Sequence, residues 1–182
     1  AGHEWRMPVE PFPLEEKFAR DLKQLGRVLH QFYHAADLLY RHSVAGKQPA
    51  WVAEWLERGK PESVIQRQRD EAFKTALPRV IRPDILLTEN GWHITELDSV
   101  PGGIGLTGWL NATYPNALGG SSGMTEGFAG IFSKTGSVNL MVSEESATYR
   151  PEMEWLAAQL GERVFVCAPG ESHLADGDSA YR

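Results

Sequence analysis

Residues 81–107 constrain the fold of this chain more than any other stretch of its sequence. Two runs rich in apolar residues, 81–88 and 92–97, flank the dipeptide Asn90-Gly91, which is typical of tight turns between paired strands. A glycine-rich segment follows the second run directly. The stretch therefore predicts a β-hairpin that leads into a glycine-rich loop.

Four charged side chains lie on the two predicted strands, namely Arg82, Asp84, Glu96 and Asp98. Residues two apart on a strand share a face of the sheet. Arg82 therefore lies beside Asp84, whatever the turn type, and Glu96 lies beside Asp98 for the same reason. The hairpin thus carries two same-side pairs of charged residues.

The length of the turn decides whether those two pairs share a face. We expect a three-residue loop, Glu89-Asn90-Gly91, in which a type I turn is closed by a left-handed Gly91. The expected pairs are Arg82 with Asp98, Asp84 with Glu96, and Leu86 with Ile94. The side chains expected to pack on the opposite face are Ile85, Leu87 and Leu97. A two-residue loop would turn Asp84 to the other face, because a slip of one residue inverts a strand.

In the three-residue register, one face of the hairpin gathers three carboxylates and one guanidinium. Carboxylates that close repel one another at neutral pH, so such a cluster calls for a bound cation or a raised pKa. Oxygen ligands of this kind suit magnesium, which proteins usually share with substrate phosphates. The alternative is a solvated hairpin in which Arg82 pairs with Asp84 or Asp98 across the surface.

The motif Arg82-x-Asp84, followed after a turn by Glu96-x-Asp98 and a loop of small residues, resembles the magnesium-binding segment of the circularly permuted ATP-grasp ligases, the glutathionylspermidine synthetase-like group. By position, the resemblance implies that Asp84, Glu96 and Asp98 bind Mg²⁺ on ATP. It also implies that Arg82 is a catalytic residue that assists acyl-phosphate chemistry. Asp98 stands where the family often has Asn, which keeps an oxygen ligand. The loop residues assigned to substrate binding are Ser99, Gly102 and Gly103.

Glycines are concentrated after the hairpin, at Gly102, Gly103, Gly105 and Gly108. Glycine lets the backbone approach a ligand closely, and exposed amide N–H groups attract anions. The segment lacks the Gly-Lys-Ser or Gly-Lys-Thr that completes a phosphate-binding loop. It fits equally well a ligand loop and a tight structural turn that leads into a helix over residues 106–112.

The overall composition argues against nucleic-acid binding as the main function of the chain. With a net charge of -6 at neutral pH, the chain has no basic stripe of the kind that binds nucleic acid. Its single cysteine, Cys167, cannot form an internal disulfide and is interpreted as a buried thiol at the end of a strand. No signal peptide or long apolar span is visible, so we expect a cytoplasmic protein without a membrane partner.

The N-terminal part of the chain predicts helices. An extended arm over residues 8–13 leads into a long helix over residues 14–42, in which apolar residues recur every three or four positions. This apolar stripe consists of Phe18, Leu22, Leu25, Leu29, Phe32, Ala36 and Leu39. Two further helices are predicted over residues 49–58 and 61–76.

His30 and His34 lie one helical turn apart, and Asp37 follows close behind. This spacing suits a metal ion. The default interpretation is a solvated or partly packed histidine pair, because no second cluster of ligands accompanies it.

The last part of the chain predicts a strand-helix-strand unit over residues 138–142, 149–160 and 163–167. Such a unit favours a right-handed crossover and a small parallel sheet. The sequence Ser-Glu-Glu-Ser at 143–146 replaces the glycine fingerprint of a dinucleotide site. A further helix is predicted over residues 124–132.

The turn signal Asp176-Gly177-Asp178 precedes residues 179–182, which look like the start of a strand without a partner. This ending suggests a fragment of a longer protein.

Together these observations predict an α/β fold, with N-terminal helices and the β-hairpin over residues 1–136 and a small parallel strand-helix-strand unit, Rossmann-like and of pre-ATP-grasp type, over residues 137–182. The resemblance implies the N-terminal part of an ATP-dependent carboxylate-amine ligase that acts through an acyl-phosphate, with Mg²⁺ as cofactor and ATP as co-substrate. Its partners would be small-molecule or peptide carboxylates and amines, and the rest of an ATP-grasp domain after Arg182.

Two alternatives to the ligase stay open. One is a non-catalytic binding or assembly module that keeps the hairpin. The other is a hydrolase that uses Glu96 and Asp98 as an acid-base pair, which is disfavoured because carboxylates two apart on a strand point the same way instead of flanking a bond.

Overall fold

The computed structural model describes residues 8–99, 101–114, 120, 122–172 and 174–181. These residues form a mixed α/β fold with six α-helices, an antiparallel hairpin and a three-stranded parallel sheet. The chain divides into two compact units, one formed by Glu15–Arg79 and the other by the described residues from 8 to 14 and from 80 onward. The hairpin thus groups with the parallel sheet, whereas the predicted division lies between residues 136 and 137. None of the described helices has the length and apolar character needed to cross a lipid bilayer.

The unit Glu15–Arg79 consists of helices α1 (Glu16–Val44), α2 (Trp51–Glu57) and α3 (Glu62–Arg69). Helix α3 ends earlier than predicted because Asp70 adopts an extended conformation, with ψ of 132°. The Asp70 carboxylate accepts a hydrogen bond from the Ala72 amide at 2.9 Å and so begins a short 3₁₀ turn.

Glu57 joins the three helices through its carboxylate. It accepts a hydrogen bond from the Tyr40 hydroxyl at 2.7 Å and two from the Arg69 guanidinium, at 2.7 and 2.6 Å. The hydrogen bonds from Arg69, followed by the one from Tyr40, hold the pKa of Glu57 below its ordinary value against the opposing effect of burial. Arg69 and Glu57 thus form a bidentate ion pair, which fixes the relative orientation of the two side chains as well as neutralising their charges.

The predicted apolar stripe of α1 is confirmed only in its first half. Leu25 and Leu29 are buried, but Phe32 and Leu39 are exposed. Further along the helix the buried positions include Tyr40 and Ser43. The Ser43 hydroxyl donates to the carbonyl oxygen of Pro49 and accepts from the Ala53 amide, so polar contacts with the following segment replace the apolar stripe.

Strands β1 (Arg82–Thr88) and β2 (Gly91–Asp98) form the predicted hairpin. Thr88 pairs with Gly91, so the loop contains only residues 89 and 90. The expected three-residue loop is therefore wrong, although Gly91 has the predicted left-handed backbone, with φ of 119°. The pairs next to the loop include Ile85 with Ile94 and Leu86 with His93, so the expected pair of Leu86 with Ile94 is also wrong.

A β-bulge restores the predicted pairing of the charged residues. Between Asp84 and Ile85 the register shifts by one, because Thr95 is an extra residue on β2 at this point. The Thr95 hydroxyl donates to the carbonyl oxygen of Asp84 at 3.2 Å. The pairs beyond the bulge are the predicted ones, Arg82 with Asp98 and Asp84 with Glu96.

The bulge also sorts the side chains of the hairpin by polarity, because directly opposed residues share a face. The apolar pairs are Pro83 with Leu97, Ile85 with Ile94, and Leu87 with Trp92. On β2 the apolar positions 92, 94 and 97 are spaced by two and then by three, so only an extra residue keeps all three on one side. Ile85 and Leu97 are half-buried on that side, as predicted, but Leu87 is exposed.

The parallel sheet contains β3 (Val138–Met141), β4 (Val164–Cys167) and β5 (Ser179–Tyr181), in the order β4-β3-β5. The parallel pairing of β3 with β4 confirms the predicted strand-helix-strand unit. The expectation that the last strand has no partner is wrong, because β5 pairs with β3. Arg182 lies outside the described residues. Cys167 is a half-buried thiol at the end of β4.

Asp178 ties the segment before β5 to the start of β3. Its carboxylate accepts hydrogen bonds from the amides of Ser137 at 2.7 Å and Ala175 at 2.9 Å. These bonds, with that of Ala175 the larger, lower the pKa of Asp178 below its ordinary value. Gly177 has φ of 91° and forms the predicted turn.

Helices α4 (Ile104–Thr113), α5 (Gly123–Ala129) and α6 (Arg150–Leu160) complete this unit. Val138, Leu140 and Leu156 are almost completely buried in its core. The other buried members are Ile104, Phe128, Val142, Met153, Ala157 and Val164. The core thus lies between β3 and the helices, and β3 is the central strand of the sheet.

Helices α4 and α6 approach each other closely at Gly105, where a β-carbon would lie 2.1 Å from the carbonyl oxygen of Glu152. The Glu152 carboxylate accepts hydrogen bonds from the amides of Gly103 at 3.0 Å and Leu106 at 2.6 Å. A carboxylate at this position satisfies amides that the first turn of a helix leaves free and interacts well with the helix dipole. Glu152 therefore fixes the start of α4.

We expect Gly105→Ala to destabilise this unit by about 2–3 kcal/mol, because the new methyl group overlaps backbone atoms of α6. Urea unfolding followed by circular dichroism measures the change. Gly127→Ala is the matched control, since its β-carbon meets nothing within 4 Å, and it should be neutral or stabilising by up to about 1 kcal/mol. Equal stabilities of the two variants would contradict the described packing.

Candidate functional site

Arg82 is the centre of the charged face of the hairpin. Its Nε lies 3.4 Å from Asp84 Oδ1, and its Nη2 lies 3.4 Å from Asp98 Oδ2. Its Nη1 donates a hydrogen bond to the carbonyl oxygen of Gly102 at 3.1 Å. The guanidinium thus connects both strands of the hairpin to the glycine-rich loop.

The charged face of the hairpin carries more negative than positive charge. Formal charges of -3 from Asp84, Glu96 and Asp98 and +1 from Arg82 leave -2, which a divalent ion would neutralise. Among the residues that the structure describes, no three acidic, histidine or cysteine side chains converge closely enough to hold an ion by themselves. Magnesium is usually bound through only one or two carboxylates together with substrate phosphates, and Asp84 lies directly opposite Glu96.

The second predicted metal position, on α1, has no cation-binding arrangement. His30 and His34 are exposed, and Asp37 forms an ion pair with Arg41 at 3.0 Å. This geometry agrees with the default interpretation of a solvated histidine pair.

The glycine-rich loop binds a carboxylate of the protein itself. The Glu152 carboxylate accepts a hydrogen bond from the amide of Gly103, which is one of the predicted substrate-binding positions. Gly102 keeps its contact with Arg82. Ser99 is half-buried directly after β2, and Val100 lies outside the described residues. No local pattern indicates this role for Glu152, which is 49 positions from Gly103.

A pocket of about 490 Å³ lies beside Gly102, at the carboxyl end of β3. Its lining consists of Pro101, Gly102, Leu140, Met141, Val142, Ser143, Ser146, Tyr149, Met153 and Tyr181. Both neighbours of β3 follow it in sequence, so the order of the strands reverses at β3. Open α/β sheets bind ligands in the crevice outside the carboxyl ends of their strands at such a point.

Tyr181 connects the pocket with the charged face. Its ring packs edge-to-face on Phe128, with 5.0 Å between the ring centres, and its hydroxyl donates to the carbonyl oxygen of Pro101 at 3.1 Å. Burial and then the negative charge of Asp98 raise the pKa of Tyr181 to about 12, while Arg82 acts in the opposite direction. Tyr181 therefore lines the pocket and lies close enough to Asp98 and Arg82 to respond to their charges.

Comparisons of the chain with protein-family models, with curated proteins and with solved structures find no match. The resemblance of the hairpin motif to the ATP-grasp ligases therefore stays a prediction.

The raised pKa of Tyr181 predicts a loss of stability at alkaline pH. The un-ionised Tyr181 hydroxyl makes its full contribution to the free energy of unfolding below pH 10.0, the ordinary pKa of tyrosine. That contribution is lost as the pH rises to about 12, because Tyr181 ionises at lower pH in the unfolded chain than in the folded one. We expect Tyr181→Phe to remove this part of the decline. Urea midpoints measured across this pH interval test the prediction.

Tyr40→Phe is a second, independent test of the same effect. Burial, followed by the hydrogen bond with Glu57, also raises the pKa of Tyr40. Its effect should add to that of Tyr181→Phe, since the two residues lie in different units. An unchanged alkaline decline in Tyr181→Phe would show that the tyrosine is not buried as described.

Proposed function

We propose that this chain is the N-terminal part of an ATP-dependent carboxylate-amine ligase of the circularly permuted ATP-grasp kind. The observation that carries the proposal is the common face of the hairpin, which brings together the four charged residues of the motif. The parallel sheet is then its Rossmann-like, pre-ATP-grasp part. The remaining ATP-grasp domain follows Arg182, the location is cytoplasmic, and the substrates are a small-molecule or peptide carboxylate and an amine.

Asp84 and Glu96 are the residues that would hold Mg²⁺, because they are directly opposed on the two strands. Asp98 lies two residues from Glu96 and completes the acidic face. When bound, the ion would orient the phosphates of ATP and neutralise part of their charge. The acidic residues of this face would attract the ion and would repel phosphate groups that carry no bound metal ion.

Arg82 would stabilise negative charge that develops during acyl-phosphate formation. Its guanidinium is already positioned by Asp84, Asp98 and the carbonyl oxygen of Gly102. A cation that is fixed in advance contributes more to a charged transition state than a mobile one, because no reorganisation is needed when the charge appears.

Trapping with hydroxylamine tests the proposal in the parent protein. An acyl phosphate formed from a carboxylate and Mg-ATP reacts with hydroxylamine to give a hydroxamate, so a panel of carboxylates can be screened before the amine is known. We expect Glu96→Gln and Arg82→Gln each to lower hydroxamate formation by about 100-fold or more. The first removes a carboxylate that would hold the ion, and the second removes the cation that would stabilise the phosphates. Circular dichroism should show both variants folded.

Glu89→Gln is the matched control, because Glu89 lies in the hairpin loop, outside the charged face. It should retain full activity. Residues 1–182 alone should form no hydroxamate, because the hairpin carboxylates hold an ion but provide no pocket for adenosine. Full activity in Glu96→Gln would exclude the metal assignment, and ATP turnover by residues 1–182 would place the active site elsewhere.

A non-catalytic binding or assembly module is the second candidate, and one observation favours it. Glu152 occupies the amides of Gly103 and Leu106, which an anionic substrate would otherwise use. A module predicts that the parent protein forms no hydroxamate with any carboxylate, even though it folds and binds its partner.

A further inference from the structure

The pocket at the carboxyl end of β3 has the properties of a ligand site, and the proposed ligase chemistry leaves it unused. Its volume of about 490 Å³ falls within the range of small-molecule pockets. None of its ten lining residues carries a charge, and most of its wall is apolar. A charged ligand group would lose its water there without gaining an opposite charge, so the pocket suits an uncharged group.

Three hydroxyl groups of the pocket have hydrogen-bonding capacity that the fold does not use. The side chains of Ser143, Ser146 and Tyr149 form no hydrogen bond within the part of the chain that the structure describes. Each hydroxyl can donate one hydrogen bond and accept two. Tyr181 differs, because its hydroxyl is bound to Pro101 and belongs to the frame of the pocket.

The walls of the pocket favour a flat aromatic group. Met141 and Met153 line it together with the ring of Tyr149, and thioethers and aromatic rings both make favourable contacts with a ring. The Tyr149 ring lies against the bare backbone of Gly102, where a β-carbon would be 2.8 Å from Cζ of Tyr149. Gly102 thus allows Tyr149 to form one wall.

We propose that this pocket binds an uncharged aromatic group with hydroxyl or carbonyl substituents, such as the phenol end of a small molecule. The ring lies against Met141, Met153 and Tyr149, and its substituents bind the free hydroxyl groups. This inference goes beyond the ligase function and does not depend on it, because the hairpin carboxylates take no part.

The proposal is tested by titrating residues 1–182 with three small probes in the absence of ATP and magnesium. Binding is measured by ligand-detected NMR. Tyrosol, the para-hydroxy derivative of phenethyl alcohol, should bind in the millimolar range and about fivefold more tightly than phenethyl alcohol, because the phenol group gains a hydrogen bond. Cyclohexylethanol, which has a saturated ring of similar size, should bind about threefold or more weakly than phenethyl alcohol.

A triple variant, Ser143→Ala with Ser146→Ala and Tyr149→Phe, isolates the free hydroxyl groups. Because these groups support no part of the fold, the variant should unfold at the same urea concentration as the wild type. It should bind tyrosol and phenethyl alcohol with equal affinity. Tyr33→Phe is the matched control, since Tyr33 does not line the pocket, and it should keep the fivefold preference.

Three results would each overturn the proposal. The first is no binding of tyrosol at millimolar concentration. The second is an undiminished preference for tyrosol in the triple variant, which would place the phenol elsewhere. The third is equal affinity for cyclohexylethanol and phenethyl alcohol, which would make the pocket a site for aliphatic groups. None of these results bears on hydroxamate formation, so the two proposals fail independently.

Discussion

The close contact of α4 with α6 at Gly105 is the interaction on which the rest of the site depends. Only a residue without a side chain permits the backbone of Glu152 to approach so closely. That approach brings the Glu152 carboxylate to the amides of Gly103 and Leu106 and so fixes the loop before α4. In the same loop, the carbonyl oxygen of Gly102 accepts a hydrogen bond from Arg82, and the backbone of Gly102 lies against the ring of Tyr149. A packing constraint between two helices therefore holds the loop that contacts both Arg82 of the charged face and Tyr149 of the pocket.

The ion pairs of the hairpin add little to the stability of the fold, so stability does not explain why four charged residues lie on one face. The ion pairs of Arg82 with Asp84 and Asp98 have distances of 3.4 Å and are partly exposed, so they contribute at most about 1 kcal/mol each. Glu96 adds a further negative charge to a face that is already acidic. Sites that violate local stability rules are often functional ones, and the proposed cation site would account for the excess of negative charge.

Local patterns predicted much of the fold, and several of the errors arose where distant parts of the chain meet. The helices, the hairpin and the β3-α6-β4 unit follow from periodicity and turn residues. The hairpin loop is an exception, because the spacing of the apolar positions 92, 94 and 97 on β2 is itself a local indication of the bulge. The pairing of β5 depends instead on Asp178 and Ser137, which are 41 positions apart. The pocket and the role of Glu152 likewise arise from separate segments, and no local pattern indicates them.

The position of Gly102 has a consequence for how the two halves of the site communicate. Its carbonyl oxygen is held by Arg82, and its α-carbon supports the ring of Tyr149. A substitution of Arg82 that removes the guanidinium would release the same peptide unit that forms the pocket wall. If both proposed ligands bind, their binding free energies would then not be additive, and by thermodynamic reciprocity each would change the affinity for the other by the same factor. Gly102 would thus couple ligand binding in the pocket to ligand binding at the acidic face of the hairpin.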